Sequence, residues 1–173
     1  MSNNITNLLG YTGIVTLSRY VKDKKFELAK IHNRGNKALF DFLADCFTGD
    51  YDSAKFSRPR KLLLLNYEIK SDKTEQFDIA STGFIYLIAE PKKVLNGASC
   101  TVQYSFMVHR DQFLTNSFNA IGLYPNYAQA NENGVKDYSA LCVLDDRITT
   151  SSSSDSSSLV VDWELIISNK DAS

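Results

Sequence analysis

NKALFDFLADCFTG, residues Asn36 to Gly49, is the one long helix signal in a chain that otherwise reads as strand. Leu39, Phe42, Leu43, Cys46 and Phe47 recur at helical spacing. Asn36 stands where a cap is needed, Asp41 brings acidic charge early, and Gly49 can close the helix in a left-handed conformation. A single amphipathic helix among strands must bury its apolar stripe somewhere, and a sheet is what the rest of the chain offers. The expectation is one helix packed on a β-sheet.

Working back from the helix, His32-Asn33-Arg34-Gly35 reads as a polar turn leading into it. Tyr11 to Val21 and Phe26 to Ile31 are rich in β-branched and aromatic residues, and Lys22 to Lys25 joins them as a tight turn, making a hairpin. Working forward, GDYDSAKFSRPR after Thr48 reads as a polar loop. Arg60 to Ile69 follows, and its run Leu62–Leu65 suits a strand covered on both faces, with the helix on one of them. Phe77 to Ala89 is broken at Ser81-Thr82-Gly83, and its second half is a strand ended by Pro91. Asn96-Gly97 is a turn dipeptide.

Beyond it lies the clearest alternation in the chain. Ala98, Cys100, Val102, Tyr104, Phe106 and Val108 point one way, and Ser99, Thr101, Gln103, Ser105 and Met107 point the other. Asn119 to Tyr124 and Tyr138 to Leu144 are shorter strands, separated by the polar loop Asn126 to Asp137. Leu159, Val161, Trp163, Leu165 and Ile167 alternate with Val160, Asp162, Glu164 and Ile166. Seven or eight strands without a βαβ rhythm predict a mainly β protein, an antiparallel β-sandwich or jelly roll carrying one amphipathic helix. The whole chain, 1–173, is expected to form one domain, with a flexible N-terminus over 1–9 and a flexible Ser-rich loop over 149–158.

Composition narrows the function classes. The chain has 173 residues, 43% of them hydrophobic, which is a globular composition with enough length for one sizeable core. Its 19 basic and 20 acidic residues leave a net charge of −1, which offers no field for nucleic acid or an anionic membrane. The longest apolar runs are too short to span a bilayer, and residues 1 to 9 lack the basic start and apolar core of a secretory signal. The protein is therefore expected to be made in the cytoplasm. Cys46, Cys100 and Cys142 sit in apolar surroundings and read as buried free thiols.

No motif carries catalysis. The two histidines are His32 and His109. A weak hydrolase built on His109 and Asp111 with a distant serine is the enzymatic alternative, but adjacent residues on a strand face opposite sides and build no triad by adjacency. The cysteines lack metal-ligand spacing, and Asp50–Asp52 and Asp145-Asp146 do not form a calcium loop. The expectation is no catalytic residue, no cofactor and no metal. The basic segment KFSRPRK reads as a solvated loop.

One pattern has a counterpart among known proteins. It runs from Gly13-Ile14-Val15-Thr16-Leu17 through the hairpin to His32-Asn33, then through the Asn36–Phe47 helix to Thr48-Gly49. It resembles the N-terminal organisation of small virion proteins of tailed bacteriophages, β-rich subunits of the capsid surface, collar or tail. The resemblance covers the first third of the chain. It implies a non-enzymatic structural subunit in a virion, whose partners are other virion proteins and copies of itself, and it transfers no active site. Tyr51, Phe56, Arg58, Arg60, Tyr124, Tyr127 and Tyr138, in or beside the long polar excursions, are the candidate contact residues. A carbohydrate-binding sandwich is the alternative, with glycan as partner and Tyr124, Tyr127 and Tyr138 as its aromatic platform.

Overall fold

A computed structural model describes residues 9–79, 87–97, 99–109, 117–129, 135–149 and 158–169. Two antiparallel sheets and two helices make a mainly β structure. The first sheet holds β1 (Leu9–Val21), β2 (Lys24–Gly35), β6 (Lys92–Asn96), β7 (Ser99–Val108) and β10 (Ser158–Asn169) in the order β2-β1-β10-β7-β6. The second holds β3 (Pro59–Ile69), β8 (Ser117–Pro125) and β9 (Ala140–Thr149) side by side, with β4 (Glu75–Ile79) and the two-residue β5 (Leu87–Ile88) both on the outer edge of β3. The helices α1 (Lys37–Thr48) and α2 (Tyr51–Ser57) connect β2 to β3.

The alternating strands do what their period requires. Tyr104, Phe106 and Val108 of β7 are buried, as are Leu159, Val161, Trp163 and Leu165 of β10. Trp163 stands between Val15 of β1 and Tyr104 of β7, so a row of large side chains crosses the inner face of the first sheet. These residues share one core with Leu62, Leu64, Ile121 and Leu123 of the second sheet, which gives a sandwich-like packing. On the outer face of the first sheet, Gln103 Nε2 donates to Glu164 Oε1 (2.9 Å), and Ser105 Oγ to Asp162 Oδ1 (2.7 Å).

The four leucines of β3 are buried on both faces, as expected, and Leu39 of α1 belongs to the same core as Leu62 and Leu64 on one of them. Leu62 and Leu64 look into the core between the sheets, while Leu63 and Leu65 pack with Tyr124, Ala128 and Val135. The segment after β8 folds back over this sheet and supplies the cover. Tyr124 Oη donates to the carbonyl of Val135 at 2.7 Å, which holds that return in place.

Three further expectations need correction, and one strand was not foreseen. His32–Gly35 is strand, not turn: β2 keeps pairing with β1 as far as Gly13↔Asn33, and then Arg34 and Gly35 pair with β9, joining the two sheets. A polar sequence becomes strand here because both neighbours offer ladder partners. The loop expected after Thr48 contains a second helix, α2. Lys92–Asn96 is a strand, β6, which forms a hairpin with β7 across Gly97 (φ +57°). Cys46 is exposed and Cys100 half-buried; of the three free thiols only Cys142 is buried.

The turn at Lys22 and Asp23 is two residues long with both φ angles positive, +47° and +62°, the conformation that matches strand twist in a hairpin. The Ser81–Gly83 break, the first half of the Phe84–Ala89 strand, the N-terminal residues 1–8 and the serine run 150–157 lie outside the described residues.

Candidate functional site

The helical hairpin between β2 and β3 is the part of the surface whose chemistry departs most from that of a solvated fold. Asn36 occupies the N-cap position of α1 in extended conformation, but its side chain makes no capping bond; its backbone N–H donates instead to Ser139 O at 3.0 Å. Gly49 closes the helix at φ +76°, with its N–H on Asp45 O. The next residue, Asp50, caps α2 by accepting from the Ser53 N–H at 3.1 Å, and this backbone bond holds its carboxyl below the usual aspartate range. Ser57 Oγ lies 2.9 Å from Asp45 Oδ2 and 2.8 Å from Ser53 O, so the end of α2 is tied back to α1.

This geometry splits the apolar residues of α1 into two faces. Leu39 is buried, and Phe42 and Leu43 pack partly against the core. Phe40, Ala44 and Phe47, at i, i+4 and i+7, form a second stripe that looks outward. Phe40 is 55% exposed and Phe47 is 78% exposed. The stripe expected to be wholly buried is therefore only half so: Cys46 and Phe47 stand in solvent because the helix meets the core only through its first two turns. On α2, Tyr51 is 76% exposed and Phe56 is 61% exposed. Four large aromatic rings on one short hairpin are thus open to water.

The expected contact residues divide accordingly. Tyr51 and Phe56 belong to this surface. Tyr127 joins it from the segment after β8: its ring stacks on Phe56 at 5.1 Å, and its N–H donates to Phe56 O at 3.2 Å. Burial pushes the Tyr127 hydroxyl pKa upward, with Asp137 and Asp41 adding to the effect. Arg58 and Arg60 both turn to Glu90; Arg58 Nη2 lies 3.2 Å from Oε2, and Arg60 Nη2 meets Oε1. The two arginines of KFSRPRK therefore share a single carboxylate within the chain. Tyr124 is 1% exposed and presents no surface, a correction that follows from its ring closing the back of the second sheet. Tyr138 is half-buried, with its ring 5.9 Å from Phe77.

Phe40 and Phe47 are the residues that sequence reasoning missed as surface. The signal was present: Leu39, Phe40, Phe42, Leu43, Ala44, Cys46 and Phe47 wrap too far around a helix for one face to bury them all.

Elsewhere, His109 at the end of β7 is exposed, and its Nδ1 lies 3.4 Å from Ser158 Oγ; Asp111, the third member of the hydrolase alternative, lies outside the described residues. Among the described residues no three His, Cys, Asp or Glu side chains gather to hold a metal ion, and no helix is long and apolar enough to cross a membrane. No family model matches the sequence, and no curated protein and no solved structure matches it.

Proposed function

We propose that this chain is a structural subunit that works through protein–protein contact, an antiparallel sandwich whose α1–α2 hairpin docks on a neighbouring subunit. The observation that carries the reading is the exposure of Phe40, Phe47, Tyr51 and Phe56 together on that hairpin. Clustered aromatic surface of this kind is costly in water and is enriched at the centres of interfaces. The resemblance of residues 13–49 to small virion proteins supplies the setting: a tailed-phage particle, assembled in the host cytoplasm from this chain, its copies and other virion proteins. The hairpin lies within or next to that stretch.

The glycan-binding alternative has less support, because Tyr124 is buried, Tyr138 packs on Phe77, and Tyr127 is stacked on Phe56. Sedimentation velocity of the purified chain and of a Phe40→Asp/Phe47→Asp variant tests the contact, alongside mass spectrometry of gradient-purified virions. Self-association or particle incorporation lost in the variant is the expected result. A wild-type chain that stays monomeric at high concentration and is absent from particles overturns the proposal.

A further inference from the structure

β2 is long, and only its end has a neighbour on each side. β1 pairs with it from Lys24 to Asn33, and β9 takes its other side at Arg34 and Gly35. Among the described residues no strand lies on that other side over residues 24–33, so the edge of the first sheet is open there. Residues 24–28 are all exposed, and two of them are large and apolar: Phe26 is 52% exposed and Leu28 is 42% exposed. An open edge offers a row of backbone N–H and C=O groups to another strand.

Sheets often guard such an edge with lysines and bulges. β2 has both, but not in a guarding arrangement. Ala29 and Ile31 stand opposite Leu17 and Val15 and pack against the core, and Phe26 shares their face, opposite Arg19. Glu27 and Lys30 stand opposite Ser18 and Thr16, on the other face. No charge points inward between Phe26 and Ile31. Leu28 has no opposite number on β1; it is the extra residue of a bulge and shifts the alternation by one.

That shift selects a partner. A strand that pairs antiparallel with its own copy about a two-fold axis sets each residue against another of the same sequence. With the axis between Leu28 and Ala29, Phe26 meets Ile31 and Glu27 meets Lys30, and symmetry makes each pair twice. The bulge puts both members of each pair on one face, as directly opposite residues must be. An axis on Leu28 itself would set Phe26 against Lys30, apolar against charged and on opposite faces. An axis between Glu27 and Leu28 would set Lys25 against Lys30. Lys25 is held by Asp162 at 2.6 Å, whereas Glu27 and Lys30 make no ion pair among the described residues.

We propose that β2 is a self-association edge: residues 24–33 of two copies of this chain pair antiparallel about a two-fold axis between Leu28 and Ala29, which joins their first sheets edge to edge and sets Glu27 of each copy against Lys30 of the other. The proposal goes beyond the hairpin contact and does not rest on it, because the two surfaces share no residue.

Sedimentation velocity of the full chain carrying Phe40→Asp/Phe47→Asp isolates this edge, because the association that runs through the hairpin is then gone. What remains should be the dimer. Adding either Glu27→Lys or Lys30→Glu sets like charges against each other in both pairs and should weaken the dimer about tenfold. Mixing those two charge variants one to one sets opposite charges together in both pairs and should restore the affinity as a heterodimer. Hydrogen exchange of the wild-type chain gives a readout that needs no variant: on concentration, the amides of residues 24–33 that point away from β1 should slow. A hairpin variant that stays monomeric at high concentration, or no slowing of those amides in the wild type, overturns the proposal. So does a dimer that neither charge variant weakens, or that mixing does not restore. Association lost in the hairpin variant but intact in the charge variants belongs to the hairpin alone, so the two contacts fail separately.

Discussion

Phe56 and Tyr127 lie nearly face to face, with ring centroids 5.1 Å apart and planes inclined by 22°. One belongs to α2 and the other to the segment that folds back behind the second sheet. Their stacking, with the backbone bond from Tyr127 N to Phe56 O, anchors the helical hairpin to the sandwich. The same hairpin then carries Phe40, Phe47 and Tyr51 into solvent.

The roles of these rings are separable. Phe56→Ala removes an aromatic pair and should destabilise the fold by about 1 kcal/mol in a denaturant titration. Phe47→Ala removes a ring with little intramolecular contact and should change stability by no more than about 0.5 kcal/mol. Assembly should respond in the opposite order if Phe47 lies at the heart of the contact. An equal loss of stability in both variants would mean that Phe47 is held by the fold and not presented by it.

Gly13 faces Asn33 across the β1–β2 ladder, and the space a Cβ would need there is taken by the Asn33 side chain. Asn33 Oδ1 in turn accepts from Tyr11 Oη at 2.7 Å. Gly13→Ala should push Asn33 aside, break that bond and cost about 1–3 kcal/mol. Asn33→Ala in the Gly13→Ala background should recover part of the loss, because it clears the clash. Thermal denaturation of the two variants checks the order.

Trp163 is the only tryptophan and is fully buried, and its Nε1–H has no hydrogen-bond partner among the described residues. Native fluorescence should be blue-shifted and should move red on unfolding. Trp163→Ala should cost about 3–5 kcal/mol. Trp163→Phe should cost less than about 1.5 kcal/mol, since it keeps most of the ring while removing an unanswered donor. A large loss for the phenylalanine variant would show that the indole N–H is satisfied in solution.

The thiols should react in order of exposure: Cys46 first, Cys100 next, and Cys142 only as the chain unfolds. Burial pushes the Cys142 pKa up to about 12 from an ordinary 9.0, with Asp145 adding to the shift. The unfolded chain therefore loses this proton at lower pH than the folded one. The stabilisation is fully present below pH 9 and declines as pH rises from about 9 to about 12. Cys142→Ala should flatten that decline in stability measured against pH.

Much of the architecture was legible because strand periodicity is a local property. Leu159 to Ile167 and Cys100 to Val108 alternate along their length, and the core takes Leu159, Val161, Trp163 and Leu165 from one and Tyr104, Phe106 and Val108 from the other, although Val160 on the opposite face is buried as well. Gly49 stopped a helix where a left-handed residue was expected, and a turn formed within the expected Lys22–Lys25, shortened to Lys22 and Asp23 because Lys24 and Lys25 pair with β1. α2 was missed although Asp50 and Ser53 carry its cap, because a charged heptapeptide with little apolar periodicity reads as loop.

The sequence by itself determined the mainly β character, the long helix, the buried leucine strand and the inward rows of the two longest alternating strands, since each follows from the spacing of apolar residues along a few turns or pleats. Tertiary structure alone decided which neighbour each strand took, and everything that depends on that choice. Arg34 and Gly35 became strand because β9 lay beside them. Leu63 and Leu65 were covered by the return after β8. Tyr124 went inside while Phe47 stayed out. Burial belongs to a residue's surroundings, and a pattern along the chain can say that a face is apolar without saying what will come to cover it.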